Sequence, residues 1–431
     1  MAITSRDDLL FHWDQRVLPG AQAIIGGDPS YDCDTARAFV GQDRKIRYAN
    51  PDRPVVEYEE INGVTRPVMP LALARTNLMG FSRDYSQWTF NATAFLSSSN
   101  NPDPAGGAEA SLLGTGATGG SGLQRNTNSL TGDGVKSVGI LLKAGSAAAP
   151  RIALYDITFG FRHQISVTWN GTEAPTLTTT SGAGTKFPPV PLVDGWWWTS
   201  FTATGVVAAN THRLYIYPGG GSGTGSVYAF DAQVEDGAFP TFPIHTPTSA
   251  AVARAVETLS FANPPSPQAM VIFFEFIEGG TILNSGNSNL FTLGDTSSGD
   301  RYQIYSDESN GRYRTWLGSI GTAFTSAPNI RERVQIAAVF PGTGSQTIRA
   351  LQRIEDGAIE ATSNVRTVPT VWNAQELWLN SISTASVGAV GAHRLTMVKL
   401  SAITAATDGT EDEALMDELA AVITDKHGNP L

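Results

Sequence analysis

Residues 194–205, DGWWWTSFTATG, place three tryptophans in a row between two glycines. The run has the length of a strand, and in a strand successive side chains point to opposite faces. Trp197, Thr199, Phe201 and Ala203 then share one face, and Trp196, Trp198, Ser200 and Thr202 share the other. The first set suits a sheet core. The second joins two indoles to two hydroxyls and leaves two readings open. It is either an interface, covered by a loop, the N-terminal segment or a neighbouring subunit, or a glycan platform that stacks on a sugar ring. Both readings require a β-sheet.

The same pattern continues on either side. Residues 137–145 (SVGILLKAG), 151–175 (RIALYDITFGFRHQISVTWNGTEAP), 211–220 (THRLYIYPGG) and 226–237 (SVYAFDAQVEDG) are strand-length runs bounded by Gly, Asn, Asp or Pro. Asn170-Gly171 predicts a tight hairpin turn, and Asn62-Gly63 another. The glycine-rich stretches 101–122 and 217–226 read as surface loops. Beyond a linker at 247–268, strand-like runs recur from residue 269 to 403, with Asn310-Gly311 and Asp356-Gly357 at turns. The last periodic stretch, 407–428, predicts the one helix. Thr410 and Glu413 form a capping box, Leu415, Leu419 and Val422 share a face, and Gly428 and Pro430 stop it.

These readings give an all-β chain of two β-sandwich domains with one short C-terminal helix. An irregular N-terminal segment spans 1–80, a jelly-roll sandwich 81–256 and a second sandwich 257–431. The 431 residues exceed one compact core, and 44 glycines and 24 prolines fit many short strands better than helix bundles. Residues 1–80 hold little core of their own and are expected to pack against the later part of the chain or against a partner protein.

Composition narrows function. A formal net charge of −11 without basic clusters argues against binding a nucleic-acid backbone. Cys33 is the sole cysteine, so an internal disulfide and a thiolate metal cage are excluded. The start MAITSRDDLL shows no signal-peptide pattern, and no apolar run is long enough to span a membrane. The six histidines are scattered outside any H-x-H or H-E-x-x-H pattern, and neither G-x-S-x-G nor a P-loop occurs. Glu275 and Glu278 in FFEFIEGG point to opposite strand faces, so they do not form the facing pair a glycosidase needs. They read as one sheet-surface charge and one turn charge. No catalytic constellation emerges.

Residues 34–90 contain Arg75, Thr76, Asn77, Leu78, Ser82, Asp84, Ser86 and Trp88 in the order of an "EARTNL…YS-DFS-W" element. GILLKAG, then Gly195-Trp196-Trp197, then DAQVEDGAFPTFPIHTPTSAAVARAVE (231–257) come next in the matching sequence. This order resembles bacteriophage tail-fibre and virion proteins that carry a carbohydrate-binding-module-like jelly roll. Residues 257–431 resemble the concanavalin A-like, or laminin G-like, sandwich that often comes after it. Two positions depart from the pattern: Asp231 stands where Gly is frequent and Trp198 where Arg is common.

The resemblance implies a non-enzymatic virion component, made in a bacterial cytoplasm and placed in a tail fibre, baseplate or head surface. Its partners would be other virion proteins, copies of itself (a trimer above all) and host-surface glycan, with neither nucleic acid nor membrane insertion. A glycan depolymerase and an architectural decoration protein are the alternatives. No cofactor is expected, save that related jelly rolls place a late-strand carboxylate on structural Ca²⁺, which makes Asp231 the metal candidate. Glu235 and Asp236 beside it read as solvated turn carboxylates.

Overall fold

The computed structural model describes residues 29–402 apart from 33, 52–56, 62–63, 71–73, 117–119, 222, 256–257, 263–269, 278–287, 295–300, 308–310, 318–319, 330–331, 341–343, 356, 369–375 and 380–393. The helix expected at 407–428 lies outside the described residues, as does Glu278. The regular structure of the described residues is nearly all β-strand, paired antiparallel, with no α-helix. It divides into two units, and both draw on the first 80 residues. One unit joins Asp34–Pro51 to Ala74–Ala255; the other joins Met1–Cys33 and Asp52–Leu73 to Val256–Leu431.

The unit around the tryptophans is built on two six-stranded sheets. The first has the order Glu173–Gly182, Gly160–Asn170, Arg151–Asp156, His212–Tyr217, Leu123–Asn126, Thr89–Phe90. The second runs Val190–Pro191, Trp196–Val206, Gly134–Ala144, Gly225–Asp236, Ala110–Thr115, Ala94–Asn101. Between them lies the main core: Leu123, Ile152, Leu154, Ile165, Leu214 and Ile216 from the first meet Val138, Ile140, Leu142, Phe201, Ala203 and Val234 from the second. The predicted turn at Asn170-Gly171 forms. Asn170 pairs with Glu173, and Gly171 takes the left-handed conformation (φ +69°) that such a turn demands.

The second sheet is covered on its other side as well. Its strand Trp196–Val206 pairs Trp198 with Leu141 and Trp196 with Lys143. Over that face lies a two-stranded hairpin, Arg37–Val40 with Ile46–Ala49. Ala38, Val40 and Ile46 of the hairpin pack with Leu141, Trp196, Trp198, Phe230 and Phe242 into a second apolar cluster. Gly139 sits on the same face, where an added Cβ would occupy the place of the Trp198 ring.

The other unit pairs two seven-stranded sheets. One runs Pro29–Asp32, Thr258–Ala262, Glu376–Leu379, Ser288–Gly294, Arg301–Ser306, Tyr313–Leu317, Ile320–Ala323. The other runs Glu360–Val368, Gly344–Ile354, Arg333–Phe340, Met270–Ile277, Arg394–Ala402, Val64–Pro70, Glu57–Ile61. Buried rings bridge the sheets: Phe274 lies 5.6 Å from Phe291, and Phe276 lies 5.2 Å from Tyr313. Ile61 pairs with Val64, and the Asn62-Gly63 turn expected between them lies outside the described residues. Glu275, read from sequence as a surface charge, is 1% exposed and accepts a bond from Gln335 Nε2 at 2.7 Å. Alternation places a residue on a face but does not say whether that face is covered.

Replacing Gly139 with alanine is expected to lower stability by about 1–3 kcal/mol, because the indole above it must shift within a close-packed layer. Urea titration followed by tryptophan fluorescence measures this. An unchanged midpoint would show that Trp198 is not held against this backbone.

Candidate functional site

The structure places both candidate tryptophans under the hairpin rather than on a free surface. Trp196 is 1% and Trp198 4% exposed. Their ring partners are protein: Phe230 at 6.3 Å from Trp196 and Phe242 at 5.9 Å from Trp198. No indole face is open to stack on a sugar. The cover comes from the N-terminal residues 37–49, one of the readings that the alternation allowed.

Residues 77–88 meet residues 231–246 at one structural joint. Asn77 is fully buried, and all four of its hydrogen-bonding positions are used. Its Nδ2 donates to Ala232 O (3.1 Å) and Ile244 O (2.7 Å), while its Oδ1 accepts from Met79 N (3.0 Å) and Val234 N (3.2 Å). Trp88 packs in the main core beside Tyr85. Gln233 donates to Thr241 O and accepts from Ile244 N. Together these bonds tie residues 77–88 to the strand Gly225–Asp236 and to residues 241–246.

Asp231, the metal candidate, lies in that joint at 1% exposure. Arg83 grips both carboxylate oxygens, Nε to Oδ1 and Nη2 to Oδ2, each at 2.8 Å. Ser82 Oγ lies 3.1 Å and His245 Nδ1 3.3 Å from Oδ1. Burial opposes ionisation of this carboxyl, yet the His245 hydrogen bond and the Arg83 charge hold it below its ordinary value. The charge facing Asp231 is thus a guanidinium. Among the described residues no group of three or more His, Cys, Asp and Glu is arranged to hold a metal ion. Asp231 also has φ +43°, at a register shift between this strand and Gly139–Leu141. A bulge of this kind favours glycine, which explains why the related pattern often has Gly here.

Glu235 and Asp236 differ from their sequence reading. Glu235 is fully buried and accepts from Thr241 N (2.8 Å) and Oγ1 (2.5 Å). Asp236 pairs with Lys136 at 2.6 Å. Beside the joint a cleft of about 350 Å³ is lined by Arg83, Asp84, Asn100, Glu109 and His245, among others. Glu109 is ion-paired to Arg83 (2.9 Å), and Asp84 accepts from Ser86.

The surface best suited to a ligand is the outer face of the first sheet. On the side away from the core, Ala153, Tyr215 and Tyr217 form a small cluster of their own, in which the two tyrosines are each 8% exposed and the half-buried Tyr155 and Phe161 pack against them. Tyr215 and Tyr217 stack at 5.4 Å with rings 5° apart. Tyr155 meets Tyr215 edge-on at 5.4 Å and Phe161 at 5.1 Å. Burial pushes the Tyr217 hydroxyl above its ordinary pKa, with the neighbouring tyrosines adding to the effect, so it stays a neutral donor. Around the rings stand polar groups fixed by one another. Arg213 Nε donates to Asn126 Oδ1 (3.0 Å) and its Nη1 to Gln124 Oε1 (3.3 Å); Thr180 Oγ1 donates to Gln164 Oε1 (2.8 Å). Thr89, Asn126, Thr168, Thr176, Thr178 and Thr180 are exposed around the rings.

One end of this face is anchored by a buried carboxylate. Asp156 Oδ1 accepts from Thr158 N (2.8 Å), and its Oδ2 accepts from Arg162 Nη2 (2.6 Å) and Asn210 Nδ2 (3.0 Å). The turn it holds presents Ile157 and Phe159, 43% and 65% exposed. Burial raises the Asp156 pKa, but bonds from Asn210, Arg162 and Thr158 outweigh it and bring it down to about 2. Sequence reading missed this face, although HRLYIY carries its signal: aromatics at 215 and 217 alternate with aliphatics at 214 and 216.

No protein-family model and no curated protein matches the chain. Among solved structures it is similar to the LG1–3 region of the laminin alpha2 chain, at 10% identity and a TM-score of 0.27. That match covers 64% of this chain and 63% of that one. It is also similar to domains LG4–5 of the mouse laminin alpha1 chain, at 11% identity and a TM-score of 0.23, over 73% of this chain and 89% of that one. Both are laminin G-like regions.

Two of these networks yield measurable outcomes. Asn77→Leu strands four backbone groups in the interior and is expected to cost about 3 kcal/mol or more, read as a lowered denaturation midpoint; a near-neutral result would remove Asn77 as the joint. For Asp156, a folded pKa below the unfolded one contributes stability above about pH 4, which is lost as pH falls toward 2. Asp156→Asn should cost about 3 kcal/mol at neutral pH and flatten the acid side of the stability–pH curve. Parallel curves for the two proteins would contradict this.

Proposed function

We propose that the chain is a non-catalytic structural protein of a tailed bacteriophage virion that binds host-surface glycan on the outer sheet face of its tryptophan-bearing unit. The observation that carries the glycan reading is that face. Sugar rings present apolar C–H faces and outward hydroxyls, so they call for aromatic rings beside planar polar groups held in fixed orientation. The half-buried Tyr155 and Phe161, backed by the buried Tyr215–Tyr217 stack, supply the first; Arg213 with Gln124 and Asn126, and Gln164 with Thr180, supply the second. The virion reading is supported by the ordered resemblance of residues 75–88, 137–145, 195–197 and 231–257, much of which forms the joint around Asn77.

Binding is favoured over cleavage by the state of the carboxylates. A hydrolase needs two of them facing across a cleft with room for sugar and water. Asp156, Asp231, Glu109 and Glu235 are each committed to an arginine, a backbone amide or a hydroxyl. In this reading weak single-site affinity becomes firm attachment through many copies. Its partners are other virion proteins and copies of the chain itself, a trimer among them, and it gives no role to calcium.

A glycan array probed with the wild type and with Tyr155→Ala/Phe161→Ala tests the binding claim. The variant should lose about tenfold or more in affinity while keeping a cooperative melt. No binding by the wild type removes the glycan reading. Immunogold labelling of phage particles tests the virion claim separately, and unlabelled particles would remove that.

A further inference from the structure

We infer that the glycan taken by the outer sheet face is anionic, bearing carboxylate or sulfate groups. This rests on the glycan reading above and adds a charge requirement to it. The chain as a whole carries a net charge of −11, but the unit that holds this sheet has 14 basic residues against 12 acidic ones. Arg151 and Arg213 point outward, and the acid on that face is Glu173, which stands opposite Asn170 at the turn end of the edge strand Glu173–Gly182.

Neither arginine has a carboxylate within ion-pair distance among the described residues. Arg213 bonds only to the neutral amide oxygens of Asn126 and Gln124, which orient its guanidinium and leave its charge uncompensated. The Nε of Arg151 is buried with no hydrogen-bond partner. Its Nη1 lies where a Cβ on Gly221 would come within 2.6 Å; that glycine, at φ +83°, leaves the guanidinium its room. Arg162, at the end of the face, is different: it is already paired with Asp156 at 2.6 Å.

The register sets the geometry. Arg151 stands opposite Tyr217 and Arg213 opposite Tyr155, so the arginines flank the aromatic cluster at its two ends. Four residues of strand separate them, about 13 Å at ~3.3 Å per residue. A chain lying across the rings would meet one cation at each end. Guanidinium is suited to this because it binds carboxylate or sulfate through two parallel N–H donors.

The test titrates the full chain with oligogalacturonate, dextran sulfate and uncharged dextran of matched length. At least one charged polymer should bind about tenfold tighter than dextran, with the excess shrinking as salt rises from low to high concentration. Arg151→Gln/Arg213→Gln should abolish that excess. Should this variant fold poorly, Ser166→Glu sets a carboxylate opposite Arg151 without removing a native partner and should reduce the excess likewise.

Equal affinity for charged and uncharged polymers, or an excess that survives both variants, overturns the inference and leaves the glycan reading standing. Failure of all three polymers and of the array removes both. Self-association that these substitutions abolish, in the absence of glycan binding, would assign the face to a second copy of the chain and overturn the inference too.

Discussion

A strand that is apolar on both faces has to be covered twice, and Trp196–Val206 sets that demand for its whole unit. Phe201 and Ala203 draw the opposing sheet onto one side. Trp196 and Trp198 draw the 37–49 hairpin onto the other. Each indole removes a large apolar area from water. The sheet that holds them therefore becomes the middle layer of three and is closed to ligands. The opposite sheet carries on its outer side the aromatic cluster of Tyr155, Phe161, Tyr215 and Tyr217, bordered by exposed threonines.

Charge is distributed with the same asymmetry. Inside, carboxylates are answered one by one: Asp231 by Arg83, Asp156 by Arg162, Asp236 by Lys136. Such buried pairs add little net stability compared with apolar packing, but removing one partner is costly. They fix geometry. Asp231 holds residues 82–83 against a bulged strand, and Asp156 holds the turn that presents Phe159. On the outer face, Arg213 is oriented by neutral amides instead, so its position is fixed without its charge being spent.

Much of the fold was legible because it rests on local rules. Asn170-Gly171 dictates its hairpin through backbone conformation alone, and the alternation of residues 196–203 sorts into two faces as expected. The site was harder to read, because exposure is set by distant chain. Nothing near Trp196 announces that Val40 and Ile46 will cover it. Glu235 sits in VEDG, a stretch with turn composition, yet residues 241–246 fold back and bury it. Asp231 looks like an ordinary strand residue until the bulge and Arg83 are seen together. Tyr215 and Tyr217 alternate with Leu214 and Ile216, which sorts them to one face but does not say how far that face is covered.

The strand Val64–Pro70 joins its sheet by pairing with Arg394–Ala402. During synthesis its partner emerges some 320 residues later, which at about 5–20 residues per second is a delay of roughly 15–65 s. Through that interval the early hairpin has an unsatisfied edge, a template for pairing with a neighbouring chain. Nascent chains on one polyribosome bring many such edges close together. The edge of Val64–Pro70 is therefore a demand on synthesis as well as on the folded state, met when Arg394–Ala402 arrives to pair with it.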